Sequence, residues 1–362
     1  MQLKKLIVLL AIMVWACAAL HSLDLPRYSP EPTTFFIHEM TYMLDKSPRF
    51  LPFYGTAFWE LDSRNFTDHD RPVVDGEVVP PDRFALMGGS ILPIPFVSWL
   101  SFSINGIFLI DGAVSHGPNP GDFGNDLHER YYGNAGFITD TTYLTAALFG
   151  AYEHKIDEQA RNGITTEVTE GRFRVAFIPI IKASEISWLR YLDSIANYIN
   201  YGGKANDTSF GQRYRFSPLY INEQPLTFKL SWGKEAYTSF IKNYIYDIEA
   251  AFGSKWFAVL NVGYQDFYEK PKYAVNVNNS FYYKAMAGYD FSRDIAYVDK
   301  DGIAKTRKSE RMVWARFSHD FQDYGFGLGF KYSIFHLNVE IRPTTDRFQG
   351  SSRICLDPLI FR

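Results

Sequence analysis

The chain has 362 residues, 46% of them apolar and 21% charged, so its composition is that of a folded protein and not of a disordered one. The net charge of -3 gives no reason to expect nucleic acid as a partner. The mean hydropathy of -0.18 is too low for a bundle of membrane helices. Aromatic residues are abundant, because 31 Phe, 24 Tyr and 7 Trp make up 17% of the chain.

Residues 1–22 have the pattern of a secretory signal peptide. Lys4 and Lys5 form a basic start, and an apolar stretch and several small residues follow. Lipoprotein processing at Cys17 is the alternative, although Trp15 fits the small-residue pattern of such a site poorly. Beyond this leader there is no apolar run of about 18 residues, so we predict no membrane helix in the mature chain.

Two-residue alternation of apolar and polar side chains recurs along the chain and predicts β-strands. It occurs in WLSFSIN at 99–105, RFRVAFIPII at 172–181, LTFKLSW at 226–232, SFYYKAMAGYDF at 280–291 and YGFGLGFKY at 324–332. Several of these runs reach the roughly 9–11 residues that a tilted strand needs to cross a bilayer.

A different spacing appears in SEISWLRYLDSIANYINY. Its Ile, Leu and Ala residues recur every three or four positions, which predicts a helix over 185–200. In a barrel, this helix would plug the lumen or lie at the rim.

The stretch 244–268 contains two alternating patterns on either side of Gly253. Tyr and Ile residues share one face of the first pattern, and Asp247 and Glu249 lie on the other face. Apolar residues over 234–252 also fit a helix, but the Tyr and Ile content favours strand. We therefore predict two strands joined by a tight turn at Gly253.

Short and long connections separate the predicted strands. The long polar connections are predicted at 62–82, 115–136, 202–224, 268–279, 292–310 and 343–352. A tight hairpin is predicted near residue 334, where the alternation changes phase. The total is about 12 strands, within a range of 10–14.

Alternation alone fits two architectures. In a soluble sandwich the apolar face points into a core, and in an outer-membrane barrel it meets lipid while the polar face lines the lumen. The leader and the aromatic content favour the barrel. So does the cysteine content, because Cys355 is the single cysteine after the leader and no disulfide framework can form.

In these features residues 50–362 resemble the Gram-negative outer-membrane β-barrel class. The resemblance implies an all-β, antiparallel transmembrane barrel that follows an N-terminal segment at 23–49. It also implies outer-membrane lipid as the environment, insertion by the barrel-assembly machinery, and location in the outer membrane of a Gram-negative-type bacterium. The chain departs from the aromatic last residue of many such barrels, since Phe361 is penultimate and Pro358 interrupts the final run.

The polar faces of the predicted strands supply the candidate functional residues. The predicted lumen-facing residues are Arg172, Arg174, Lys229, Asp247, Glu249, Asn261, Gln265, Lys284 and Arg316. Their mixed charges suit either a water-filled pore or a salt-bridged, plugged interior.

No cofactor, metal site or catalytic residue is predicted. The acidic and His residues of 115–136 match no known metal-binding spacing, so a solvated loop is the simpler interpretation. His319 lies beside Ser318 and Asp320, but neighbouring strand residues face opposite sides, which argues against a catalytic triad.

The first functional hypothesis is a channel or transporter for small or hydrophobic solutes. A soluble periplasmic or secreted β-rich binding protein and a barrel enzyme acting on lipid are the alternatives. The sequence does not identify the solute.

Overall fold

The computed structural model describes residues 32–62, 82–116, 123–161, 164–202, 208–236, 241–269, 280–298, 304–320, 323–332, 334–343 and 347–356. The predicted signal peptide at 1–22 and the end of the chain with Phe361 lie outside these ranges. Within them there is one α-helix, α1 (Pro32–Lys46). No helix in these ranges is long and apolar enough to cross a membrane.

The remaining regular structure is almost entirely β. The strands are, in chain order, β1 (Leu51–Asp62), β2 (Asp82–Pro93), β3 (Leu100–His116), β4 (Phe123–Asp140), β5 (Leu144–Arg161), β6 (Ile164–Ile181), β7 (Leu192–Tyr201), β8 (Ser209–Phe216), β9 (Leu219–Ile221), β10 (Gln224–Ala236), β11 (Ile241–Phe252), β12 (Trp256–Glu269), β13 (Ser280–Asp290), β14 (Arg293–Val298), β15 (Ala304–Ser309), β16 (Arg311–Asp320), β17 (Asp323–Tyr332), β18 (Phe335–Arg342) and β19 (Arg347–Leu356).

Seventeen of these strands form one antiparallel sheet that closes into a barrel. Closure follows from β1, which pairs with β2 on one side and with β19 on the other. Both β8 and β9 pair with β10, so they are two parts of the same wall strand. The 17 strands therefore occupy 16 positions in the wall, and β14 and β15 form a separate hairpin.

The prediction of an all-β antiparallel barrel is confirmed, but the predicted number of about 12 strands is wrong. The one described α-helix, α1, does not lie at the predicted position of 185–200. Three wall strands lie where the sequence predicted something else: β7 in the predicted helix, β8 in the predicted connection at 202–224, and β19 largely in the connection at 343–352. Much of the predicted loop at 115–136 belongs to β4.

The helix predicted at 185–200 is wrong. Two short 3-10 turns, Ala183–Glu185 and Ser187–Leu189, precede β7 there. β7 has apolar residues on both faces, because Ala196 and Tyr198 pack against the interior cluster while Ile199 is exposed on the outside. Apolar residues on both faces of a strand produce spacings of three and four that imitate a helix.

The barrel has two unlike ends. The end where β1 begins and β19 finishes, here called the terminal rim, carries the turns after β4, β9, β11 and β17. The hairpin of β14 and β15 also lies at this end, between β13 and β16. The opposite end, the far rim, is formed by the starts and ends of strands that are joined there. The strands that end at the far rim are β1, β3, β5, β7, β10, β12, β16 and β18.

The turn after β11 depends on Gly253, which has φ +93, a conformation that residues with a Cβ rarely adopt. A Cβ at this position would lie 2.0 Å from the Trp256 carbonyl oxygen. We expect Gly253→Ala to lower the free energy of unfolding by about 1–3 kcal/mol. Gly150→Ala is the control, because a Cβ there meets nothing within 4 Å. Urea unfolding in lipid vesicles measures both, and equal stability of the two variants would contradict the interpretation.

The two faces of the wall differ as expected for a barrel in lipid. Large apolar side chains are exposed on the outside, including Tyr246, Ile248, Phe326, Leu328 and Phe330. The residues between them point inward and are largely buried, as with Asp247. The outer surface is thus an apolar band rich in aromatic rings.

Substitution of Leu328 tests whether this band contacts lipid, because Leu328 lies in the middle of β17 and is 70% exposed. We expect Leu328→Arg to cost about 2–4 kcal/mol, the usual cost of Arg on a lipid face at the bilayer midplane. Ile341→Arg, near the far-rim end of β18, should cost about 1 kcal/mol or less. Urea titrations in vesicles measure both, and equal costs would argue against a bilayer midplane at Leu328.

Candidate functional site

The lumen contains α1, which is the main feature of the candidate site. Pro32 occupies the first turn, where proline is favoured. The buried apolar side chains of α1 are Phe35, Phe36, Ile37, Met40, Met43 and Leu44. They belong to one apolar cluster with inward-facing residues of β1 to β6. Phe36 packs edge to face on Phe149, with ring centroids 4.9 Å apart.

A buried ion pair fixes α1 to the wall. Arg353 of β19 donates from Nε and Nη2 to the Glu39 carboxylate at 2.9 and 2.8 Å. Thr56 of β1 donates to the same carboxylate at 2.7 Å. The Arg353 guanidinium also lies 3.7 Å from the ring centroid of Tyr42. Both charged side chains are 2% exposed, so this pair is almost completely withdrawn from water.

The more polar side of α1 faces β7 and β8. His38 lies 6.4 Å from Tyr198 of β7, measured between ring centroids. One helical repeat of seven residues further on, Asp45 accepts two hydrogen bonds from Arg215 of β8 at 2.9 and 2.8 Å. The described side-chain contacts of α1 thus fall on the arc from β19 through β1 to β8.

The wall from β10 to β18 holds most of the residues predicted to face the lumen. Lys229 pairs with Glu249 at 3.2 Å, and Tyr282 donates to Asp247 at 3.3 Å. Asn261 and Lys284 lie opposite each other on β12 and β13. Asn261 and Asp247 are buried and Lys284 is half-buried.

Arg316 belongs to a tight cluster around Glu340, which is fully buried. Arg316 donates to Glu340 from Nε at 2.6 Å, and the Arg342 Nε donates at 3.1 Å. Ser318 and Gln349 donate to the same carboxylate at 2.8 and 2.6 Å. One carboxylate therefore holds two guanidinium groups in place on the inner wall.

Two of the other candidates lie on β6, and the third lies on β12. Arg174 is buried on β6 and hydrogen-bonds Glu153 of β5. Arg172 is half-buried and pairs with Glu170 at 2.5 Å. Gln265 lies in β12 opposite Ser280, and its side chain is outside the described part of the structure.

Strands β4, β5 and β6 continue beyond the barrel wall at the far rim. The β6 residues from 164 to 171 are exposed on both faces, so this part stands outside the membrane. On the paired segments of β4 and β5, His128 Nδ1 forms a hydrogen bond with Asp157 Oδ1 at 2.9 Å. The Arg130 Nη1 lies 2.5 Å from the same oxygen. Partial burial would raise the pKa of Asp157, but the His128 hydrogen bond and the Arg130 charge outweigh it and lower this pKa to about 2.

The described residues offer no support for a triad at 318–320. Ser318 points inward to Glu340, whereas His319 stacks on Tyr283 with ring centroids 5.0 Å apart. Tyr283 is exposed on the outer face, so the hydroxyl and the imidazole lie on opposite sides of β16. No cluster of three metal-ligating side chains occurs in the described ranges.

Sequence reasoning missed α1 and its partners. The apolar positions 36, 40, 43 and 44 have helical spacing, and Pro32 marks the start of the helix, so a signal for α1 was present. No feature of the sequence could predict that Glu39 contacts Arg353, because 314 residues separate them and only closure of the barrel brings them together.

No protein-family model and no curated protein sequence matches the chain. Its fold is similar to that of CdiB from Acinetobacter baumannii, with 9% identity over 84% of this chain and a TM-score of 0.41. This chain spans 60% of the length of CdiB. It is also similar to OccAB4 from A. baumannii, with 12% identity, 86% of this chain and 98% of that chain covered, and a TM-score of 0.39. The β domain of the Bordetella autotransporter BrkA is a further structural neighbour, with 10% identity, 84% and 98% coverage, and a TM-score of 0.29.

The closed wall defines the class of protein. All its edges are paired, its outer surface is an apolar and aromatic band, and its inner surface carries the charged residues. The chain is an outer-membrane β-barrel protein.

Proposed function

We propose that the protein is a channel for small polar solutes, in which α1 is a fixed constriction. The solute path runs between α1 and the inner face of β10 to β18. Barrels of 16 strands are wide enough to enclose an aqueous channel. A single helix about 10 Å across does not fill such a lumen.

The observation that carries this proposal is the unequal lining of the lumen. The arc from β19 through β1 to β8 is covered by α1. The inner face of the wall from β10 to β18 carries the mixed charges and amides of Lys229, Asp247, Asn261, Lys284 and Arg316. Mixed charges and amides on an inner wall are compatible with water and with polar solutes.

We expect α1 to remain in place during transport. Its six buried apolar side chains are each stabilised by about 1.5–3 kcal/mol relative to exposure in water, so their release would cost on the order of 10 kcal/mol. The Glu39–Arg353 pair adds to this cost. A helix held so firmly sets the size limit of the path.

Conductance in planar bilayers tests the proposal. The full-length protein, folded as judged by heat-modifiable migration, should give discrete current steps. Vesicles that contain it should swell in a small polyol and not in a large oligosaccharide. Folded protein that inserts and gives neither current nor swelling would overturn the channel proposal.

The alternatives receive less support. A soluble binding protein is disfavoured by the exposed apolar band, and a lipid-acting enzyme by the separation of Ser318 from His319. We further propose that the barrel-assembly machinery inserts the protein into the outer membrane of a Gram-negative-type bacterium. A carbonate wash of membranes from its native cells should leave the protein in the outer-membrane fraction.

A further inference from the structure

We propose that Trp314, His336 and Asn338 form a binding site for a small, neutral, hydroxyl-bearing solute in the lumen. This inference rests on the proposed channel function and identifies the class of solute. The site lies on the inner face of β16 and β18, toward the terminal rim.

The register of three strands brings the side chains together. Trp314 of β16 lies opposite Gly329 of β17, and Gly329 lies opposite Asn338 of β18. His336 is two residues from Asn338 and therefore on the same face. The Trp314 and His336 rings meet edge to face, with centroids 5.1 Å apart and planes at 76°.

Gly329 makes this arrangement geometrically feasible. A Cβ at this position would lie 2.2 to 2.4 Å from three atoms of the Trp314 indole. The indole therefore lies across β17 in space that any other residue would occupy. It is held there as a rigid platform against the strand.

Four polar atoms of these three side chains have no hydrogen-bond partner among the described residues. Within the described ranges, Trp314 Nε1, both ring nitrogens of His336 and Asn338 Oδ1 are buried and have no hydrogen-bond partner. The three residues are between 3% and 5% exposed. Buried polar groups without partners are costly, so donors and acceptors grouped in this way call for a bound molecule that satisfies them.

The surroundings define the chemistry of that molecule. Trp314 belongs to an apolar cluster with Met312, Met286 and Phe257.

The nearest cations are paired, because Lys331 contacts Glu310 and Arg353 contacts Glu39. An apolar floor with a few uncharged donors and acceptors suits a neutral ring or chain that carries several hydroxyl groups. A charged solute would find no unpaired countercharge among the residues described at this site.

Saturation-transfer NMR with glucose and the folded barrel in detergent micelles tests the site. We expect saturable binding of glucose and none of gluconate, its anionic relative. Trp314→Phe keeps an aromatic ring but removes the N–H, and it should weaken glucose binding by about tenfold. Asn338→Ala should weaken it similarly.

Trp256→Phe is the matched control. It should leave the binding constant unchanged, because Trp256 is on the outer face and is 75% exposed. No saturable binding to the folded wild type, or equal binding by the Trp314→Phe and Trp256→Phe variants, would show that the polar atoms hold water alone and would overturn the site. Conductance of the same preparations separates the two proposals. Current without glucose binding overturns the site alone, and binding without current overturns the channel alone.

Discussion

Replacing Arg353 by methionine is expected to destabilise the barrel by about 3–5 kcal/mol, the usual cost of leaving a buried charge without its partner. The variant keeps a long side chain in place but leaves the Glu39 carboxylate with Thr56 as its remaining described donor. It also removes the cation beside the Tyr42 ring. The midpoint of urea unfolding in lipid vesicles, followed by heat-modifiable migration, measures the loss.

Two further variants make this result specific. Arg172→Met breaks a pair whose Glu170 side chain is 49% exposed, so it should cost about 1 kcal/mol or less. The double variant Glu39→Gln with Arg353→Met removes both charges and should be less damaging than Arg353→Met alone. A loss at Arg353 no greater than the loss at Arg172 would show that this ion pair does not hold α1.

The sequence predicts best those strands whose two faces are filled by their own side chains. β11 and β12 alternate cleanly, and Gly253 marks the turn between them, so both strands and the hairpin are confirmed. The tight hairpin near residue 334 is confirmed for the same reason, because β17 ends at Tyr332 and β18 begins at Phe335.

The sequence does not predict strands whose outer face is partly filled by side chains of an adjacent strand. In β19 Gly350 has no side chain, and the ring of Trp59 from β1 fills the space that a Cβ would enter. In β8 the outward Gln212 accepts hydrogen bonds from Trp232 and Tyr214. Gly350 and Gln212 therefore interrupt the apolar alternation that identifies a strand, although the assembled outer surface is complete.

The sequence predicts which positions belong to the candidate site, but it does not predict how their side chains contact one another. Alternation around Asp247 and Lys229 assigns them to the polar face of their strands. It does not give the sharing of Glu340 by Arg316 and Arg342, which depends on the pairing of β16, β17 and β18. The position of α1 depends on closure of the whole wall.

Deletion of α1 is expected to raise the single-channel conductance on the order of threefold or more, since it removes a cylinder about 10 Å across from the lumen. The 16 wall strands remain, and barrels of this size hold an open aqueous channel. Arg353 would lose Glu39, but water would then reach its guanidinium and solvate it. The apolar inner wall of β2 to β6 would also be wetted, so the variant should unfold at lower urea than the wild type.

The matched control is replacement of residues 292–310 by a short turn, which removes a segment of similar length outside the wall. This variant should keep the conductance of the wild type. A second variant, Phe36→Asp with Met40→Asp, keeps the chain length and weakens the packing of α1. Its single-channel conductance should be that of the wild type most of the time, interrupted by brief openings of larger conductance. Because heat-modifiable migration confirms folding independently of current, an α1 deletion that folds and conducts like the wild type would place the solute path away from α1. The helix would then be a structural support of the apolar half of the lumen and not its constriction.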